Sequence, residues 1–427
     1  MSIIAILGRQ PELSLAELEQ RFGSDSVYTF SDIAGLVETE AFDIQTLGGT
    51  VKAGKVIAEL DKADWPRLSR DIVQRYSKEL RGEGKLTLGI SVYGKTIAAR
   101  DIQRTGLALK QALKKNGRSV RLIPNDGTAL STATSHHNKL GLASNKLEIM
   151  IVYGRSSVII AESTGTQNIS ALAARDQGRP KRDAFVGMLP PKLALMMINL
   201  SGITIEQQQS RSVVSAEDNK GEVQPEELAP RSEALSSDEH NRKGDQNRHT
   251  LLDPFCGTGV VLQEAALLGF NVYGSDLAEK MVDYSQQNLD WLAAKHTIGT
   301  VKIEPGDAIE HTWQPPIDAI VAETYLGQPF SAPPAPDKLD KVKRIVDHIT
   351  SKFLENLASQ IDSGTLICLA VPAWRDVRGN FTHLSTIKNL ESLGYEWQTL
   401  KNVDVKNLIY YREDQVVGRK LLLLVKN

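Results

Sequence analysis

The chain has 427 residues, 41% hydrophobic and 24% charged, with a formal charge of −2. That size predicts two or three domains of an ordinary soluble protein. No apolar run reaches the roughly 18 residues of a membrane span, and only two cysteines are present, Cys256 and Cys368, which argues against a disulfide framework or a cysteine zinc site.

The opening "MSIIAILGRQPELSLAELEQ" predicts a first strand and helix rather than a signal peptide. Residues 1–60 alternate short apolar runs with the helical "LSLAELEQRF" and predict a small α+β subdomain. Residues 61–165 predict a second α+β domain. Its elements are the helix "DWPRLSRDIVQRYSKEL", the strand "KLTLGISVYG", a helix closed by Gly117, the strand "SVRLIP", and a hairpin turning at Gly154 and Arg155. It has no glycine-rich nucleotide loop, so it is expected to bind rather than catalyse. Residues 166–204 predict a linker: a basic loop, a Pro-Pro start and an apolar helix. Residues 205–249 are polar and nearly free of aromatics, and are expected to be a disordered insertion. From residue 250 to 427, strands and helices alternate, including a long helix over 337–361 and a helix after "GTLICLAVPAW". That alternation predicts a doubly wound α/β sheet.

The overall charge hides an asymmetry. Arg67 to Asp183 holds 21 Lys+Arg against 9 Asp+Glu, a surplus of +12, which leaves −14 elsewhere. A basic block of this kind suits a polyanionic partner, a nucleic acid above all. Arg175, Arg179, Lys181 and Arg182 put four cations into eight residues and are candidate phosphate contacts. The plain alternative is a solvated basic face. His136 and His137 are adjacent but have no Cys, His or Asp cluster near by, so no metal is expected.

The chemistry concentrates in "LLDPFCGTGVVLQEAALLGFNVYGSD", Leu251–Asp276. Gly257 and Gly259 permit positive φ and close approach of a ligand, and the following helix start favours an anionic or electron-rich group. A phosphate loop would need Gly-Lys-Ser/Thr after the turn. A dinucleotide fingerprint would need a third glycine where Leu262 stands. Asp253 before the turn would repel a pyrophosphate but suits the ammonium and sulfonium end of S-adenosylmethionine. Asp276 closes the next strand, where a carboxylate accepts the ribose hydroxyls. Asp307 closes the third and could accept the adenine amino group. Leu277 and Ala308, next to these acids, are added to the expected cofactor site.

With these residues in view, "LLDPFCGTGVVLQEAALLG" is similar to the class I methyltransferases, and among them to the tRNA guanine N2-methyltransferases that carry a THUMP domain, the guanine-10 type being the nearest match. "RDQGRPKRDAFVGMLPPKLALMMINLSG" resembles the segment that lines their cofactor pocket. "SHHNKLGL" (Ser135–Leu142) is similar to the THUMP signature, and "NLIYYREDQVVGRKLLLLVKN" resembles their final strands. The resemblance implies a Rossmann-like C-terminal domain and an N-terminal RNA-binding part of ferredoxin-like plus THUMP type. It also implies contacts of Asp253, Phe255, Gly257, Asp276 and Asp307 with S-adenosyl-L-methionine, to which Gly259 is added. His137, Asn138 and Lys139 are expected at a helix start facing RNA or capping a turn.

One loop departs from the family. After the fourth strand, amino-methyltransferases carry Asp/Asn-Pro-Pro-Tyr/Phe; here the run is "ETYLG". Glu323 stands for the acid and is expected to accept the amine hydrogens. Tyr325 is expected to stack on the base. Trp374 could line the base pocket or fill the core. The expected function is S-adenosylmethionine-dependent methylation of a guanine N2 in tRNA by a cytoplasmic monomer. The alternatives are an adenine amino-methyltransferase on RNA or DNA, and a silent RNA-binding protein that still holds the cofactor.

Overall fold

The computed structural model describes residues 1–61, 63–80, 84–183, 189–203 and 248–427. The insertion expected over 205–249 lies outside the described residues apart from its last two. Residues fall into two compact units: Met1–Gln177 with Leu400–Val403, and Gly178–Thr399 with Asp404–Asn427.

The first unit contributes strands β1 (Ser2–Leu7), β2 (Val27–Ser31), β3 (Ala34–Glu38), β4 (Thr50–Asp61), β5 (Leu86–Tyr93), β6 (Val120–Leu122), β7 (Lys146–Tyr153) and β8 (Ser157–Thr166). They form one sheet in the order β2-β3-β1-β4-β8-β7-β5-β6. The boundary expected between residues 60 and 61 therefore falls at the end of β4, inside a continuous sheet. The reason is hydrogen bonding: β4 pairs with β1 on one side and with β8 on the other. Helix α1 (Pro11–Phe22) packs Leu15 and Leu18 against Ile3, Val37 and Leu47. Helix α2 (Trp65–Glu79) begins where the Asp64 carboxylate accepts from the Arg67 amide at 2.9 Å, and buries Leu68, Ile72 and Tyr76 at four-residue spacing. Helix α3 (Ala99–Lys115) ends in the left-handed turn expected at Gly117, φ 84°. The hairpin turn also lies where expected, with the Gly154 amide bonded to the Ser157 carbonyl at 2.9 Å.

An ion pair crosses the interior of this unit. Lys52 Nζ on β4 lies 2.6 Å from Glu148 Oε1 on β7, the two side chains being 2% and 0% exposed. Lys52 Nζ also donates to the Leu130 carbonyl at 2.8 Å and to Ser135 Oγ at 2.7 Å, and Ser91 Oγ donates to the same Glu148 oxygen at 2.6 Å. Burial pulls the Lys52 pKa down, and the Glu148 charge opposes that shift. The network fastens β4, β5 and β7 to the short helix α4 (Thr132–His137).

The second unit builds a sheet in which β9 (Thr250–Asp253), β10 (Asn271–Asp276), β11 (Val301–Pro305), β12 (Ala319–Glu323) and β13 (Leu366–Arg375) run parallel. The short strands β14 (Phe381–Thr382) and β16 (Ile409–Tyr410) are side additions. The antiparallel β17 (Val417–Lys426) lies between β13 and β15 (Tyr395–Trp397), giving the order β11-β10-β9-β12-β13-β17-β15. This is the doubly wound sheet expected from the alternation, and the Rossmann-like domain that the resemblance implies. Strand order reverses at β9, and ligands of such sheets sit outside the carboxyl ends at that switch point. The helix expected after β13 is replaced by two 3₁₀ turns, Thr386–Asn389 and Glu391–Leu393. Asp347 takes the Ser385 and Thr386 amides at 2.8 Å each, which pins the segment by its backbone, and Leu384 and Leu390 are buried.

Candidate active site at the carboxyl edge of the parallel sheet

The glycine turn joins β9 to helix α7 (Val260–Leu267). Gly257 (φ 52°) and Gly259 (φ 78°) both hold left-handed backbone. A Cβ on Gly259 would lie 2.6 Å from Ser285 Oγ on helix α8 (Glu279–Ala293), so packing as well as φ demands glycine there. A Cβ on Gly257 would meet only the Phe255 carbonyl, at 3.9 Å. That glycine opens a space beside the turn that a ligand could enter. On β10, Gly274 lets α7 lie close: a Cβ there would be 2.5 Å from Leu262 Cδ1.

Of the acids expected at strand ends, Asp253 and Asp276 accept hydrogen bonds from amides of this turn. Asp253 is 2% exposed and accepts from the Phe255 amide at 3.1 Å. Burial drives its carboxyl pKa well up, and the charges of Asp276 and Glu323 push the same way. Asp276 accepts from the Gly257 amide through Oδ2 and from the Ala278 amide through Oδ1, each at 2.9 Å. Burial raises its pKa too, against those two bonds. Each of its oxygens keeps a second lone pair, which is what a ribose diol needs. Asp307 follows β11 and accepts from the Ile309 amide at 3.1 Å; its neighbour Ala308 is buried. Phe255 packs edge-on against Phe353 at 5.0 Å between ring centroids. Leu277 is 73% exposed, so it offers apolar surface beside Asp276 without belonging to the core. Cys256 is buried, and burial raises its thiol pKa well above the ordinary value, as a core filler's would be.

At the end of β12, Glu323 Oε1 accepts a charge-assisted bond from Arg419 Nε on β17. Glu323 and Arg419 are 15% and 10% exposed in their side chains. Among the described residues Glu323 Oε2 accepts no hydrogen bond. Tyr325 is 47% exposed, and Thr324 between them is buried, its amide bonded to the Ala370 carbonyl at 3.0 Å. Trp374 is 1% exposed and belongs to the core cluster of this unit, which decides between its two expected places.

The basic segment is held rather than loose. Asn288 Oδ1 accepts from the Lys181 amide, and Asn288 Nδ2 donates to the Lys181 carbonyl, both at 2.9 Å. Nδ2 also donates to the Thr258 carbonyl in the glycine turn at 2.8 Å. Lys181 and Lys280 each place Nζ 5.1 Å from the Tyr284 ring. Arg182 is exposed. Arg179, expected as a phosphate contact, is 3% exposed and sits inside. Arg175 is half-buried on helix α5 (Ile169–Gln177) of the other unit. His137 and Lys139 are exposed, but they lie at the end of α4, not at a helix start. Asn138 caps that end, its Nδ2 donating to the Thr134 carbonyl at 2.9 Å, and Lys139 takes φ 55°.

Sequence reading missed Asn288 and Arg419. The available signals were an asparagine on the buried side of an amphipathic helix and an arginine inside the apolar "VVGRKLLLLVK". Among the described residues no group of three His, Cys, Asp or Glu could hold a metal, and no helix is long and apolar enough to cross a membrane.

Comparison with known proteins adds to this geometry. Residues 225–392 match the family UPF0020, described as an RMKL-like methyltransferase domain. The chain is 28% identical over 220 residues to the tRNA (guanine(10)-N2)-dimethyltransferase of Methanothermobacter thermautotrophicus, covering 51% of this chain and 49% of that protein. It is 35% identical over 82 residues to the enzyme of the same name from Pyrococcus abyssi, 19% and 21% of the two chains. The chain thus spans about half the length, or less, of these curated relatives. The crystal structure of TrmN from Thermus thermophilus aligns over 100% of this chain and 99% of its own at 16% identity, TM-score 0.49.

Proposed function

We propose that this chain, whose C-terminal half carries an RMKL-like methyltransferase domain of the UPF0020 family, is an S-adenosylmethionine-dependent tRNA methyltransferase acting on the exocyclic N2 of a guanine. The observation that carries the reading is the row of carboxylates at the carboxyl ends of the parallel strands. Asp253 and Asp276 flank the glycine turn, Asp307 follows β11, and Glu323 ends β12. The names of the curated relatives supply the substrate class.

The donor set fits the cofactor. Asp253 is a buried carboxylate suited to a cation. Asp276 can accept a ribose diol, Asp307 an adenine amine, and the bare face of Gly257 leaves room beside them. When bound, S-adenosylmethionine supplies a methyl group on a cationic sulfur. The chain's own residues position the acceptor. Glu323 Oε2 takes one N–H of the guanine amine, which turns the nitrogen lone pair toward the methyl group. Tyr325, exposed beside it, offers a ring for the flipped base. The THUMP-like first unit, with its basic surplus and exposed His137 and Lys139, grips tRNA by shape and phosphate.

One observation favours a second reading, the silent cofactor-retaining RNA binder: an oxygen of Glu323 is already engaged by Arg419. Incubating the full chain with unmodified tRNA transcripts and methyl-labelled S-adenosylmethionine, followed by nucleoside mass spectrometry, separates the readings. N2-methylguanosine is the expected product. Label on adenine transfers the reading to an adenine enzyme, and no label despite binding of both ligands supports the silent binder.

A further inference from the structure

We infer that Arg419 is a positioning residue for methyl transfer: it holds Glu323 by one carboxylate oxygen so that the other is presented in a fixed orientation to the acceptor amine. The inference rests on the reading of Glu323 given above and extends it to a residue outside the motif loop.

Four observations carry it. Arg419 lies on β17, two strands from β12, and reaches Glu323 through Nε, so the contact is set by sheet order and not by local sequence. Both side chains are largely buried, where a charged group without a partner of opposite charge is costly. Arg419 is the cation bonded to Glu323, and among the described residues it makes no other side-chain hydrogen bond. Finally, Glu323 Oε2 has no partner among the described residues, which leaves one acceptor for one N–H. A glutamate has one more rotatable bond than an aspartate. The bond from Arg419 Nε restrains that freedom, since it ties one carboxylate oxygen to a planar group.

A double-mutant cycle on the full chain tests this, with unmodified tRNA transcripts and labelled S-adenosylmethionine under single-turnover, saturating conditions. Arg419→Gln is expected to slow transfer about 10- to 100-fold. Cofactor Kd and tRNA Kd should stay within about twofold, a split that a general loss of structure would not give. Arg419→Lys keeps the charge without the planar Nε–H and should fall between the two. In a Glu323→Gln background, Arg419→Gln should cost less than about threefold more, because the group it positions is already altered. Multiplicative losses in the double variant, or a loss confined to ligand affinity, overturn the inference. If Arg419→Gln loses cofactor binding through misfolding, Arg419→Lys decides: slower transfer with unchanged cofactor Kd supports it, and wild-type transfer overturns it. A wild type that binds both ligands and transfers nothing overturns the methyltransferase reading itself, and this inference with it. A wild type that transfers normally while Arg419→Lys and Arg419→Gln do the same overturns only the role of Arg419.

Discussion

Asp253 shows how much one buried side chain can say about ligand charge. Burial raises its carboxyl pKa well above the ordinary value, so its ionisation is shifted to higher pH than that of a solvated aspartate. A cationic ligand prefers the ionised form. Cofactor affinity should therefore rise as pH is raised from the ordinary aspartate range toward the elevated pKa, and level off above it. Calorimetry at a series of pH values above the ordinary aspartate range, in buffers of different ionisation enthalpy, should detect proton release on binding. Asp253→Asn should abolish that release, and a pH-independent affinity in the wild type would remove Asp253 from the cationic end of the pocket. For Asp276 the proposed role is hydrogen bonding. Asp276→Ala should weaken S-adenosylmethionine binding by about 1.5–3 kcal/mol, and an unchanged calorimetric affinity would exclude it from the site.

At the scale of elements, two contacts set the geometry. Gly274 lets α7 press on β10, so Gly274→Ala should destabilise the second unit by about 1–3 kcal/mol, read as a lower Tm, and should weaken cofactor binding by moving the helix start. A Tm equal to wild type would show that Leu262 simply swings aside. In the first unit, Lys52→Met leaves Glu148 buried without its cation and should cost about 3–5 kcal/mol by denaturant unfolding. Lys52→Met with Glu148→Gln should cost less than Lys52→Met alone if the uncompensated charge is the cause.

These elements also show what could be read in advance. The strand–turn–helix from Thr250 to Leu267 and the acids at strand ends were legible, because periodicity and glycine spacing are local properties. So were α2, α3 and the hairpin turn at Gly154. Asn288 and Arg419 were not, because each acts on a segment roughly a hundred residues away. Of the two places expected for His137, Asn138 and Lys139, the helix start is not found, since the cap that starts α4 is Ser131, bonded to the Thr134 amide at 3.0 Å, and Asn138 caps the turn that ends it.

For the whole molecule, charge makes the sharper forecast. The +12 surplus between Arg67 and Asp183 belongs mostly to the first unit. Binding of tRNA should weaken steeply with salt, as counterion release requires. Filter binding of unmodified tRNA at several salt concentrations gives the slope, and a flat line would leave the surplus as a solvated face. Sheet continuity was the feature of the first unit least visible from sequence, since pairing of β4 with β8 joins residues about a hundred apart.

That pairing bears on how the gene could be shortened or its product dissected. Trimming the chain at residue 61 looks harmless by composition, yet it would strip β4 from β8 and bare a strand edge from Ser157 to Thr166. Bare edges recruit other edges. The trimmed protein should self-associate in size-exclusion chromatography at concentrations where the intact chain stays dispersed. The first sixty residues thus cover a strand edge of the part beyond them.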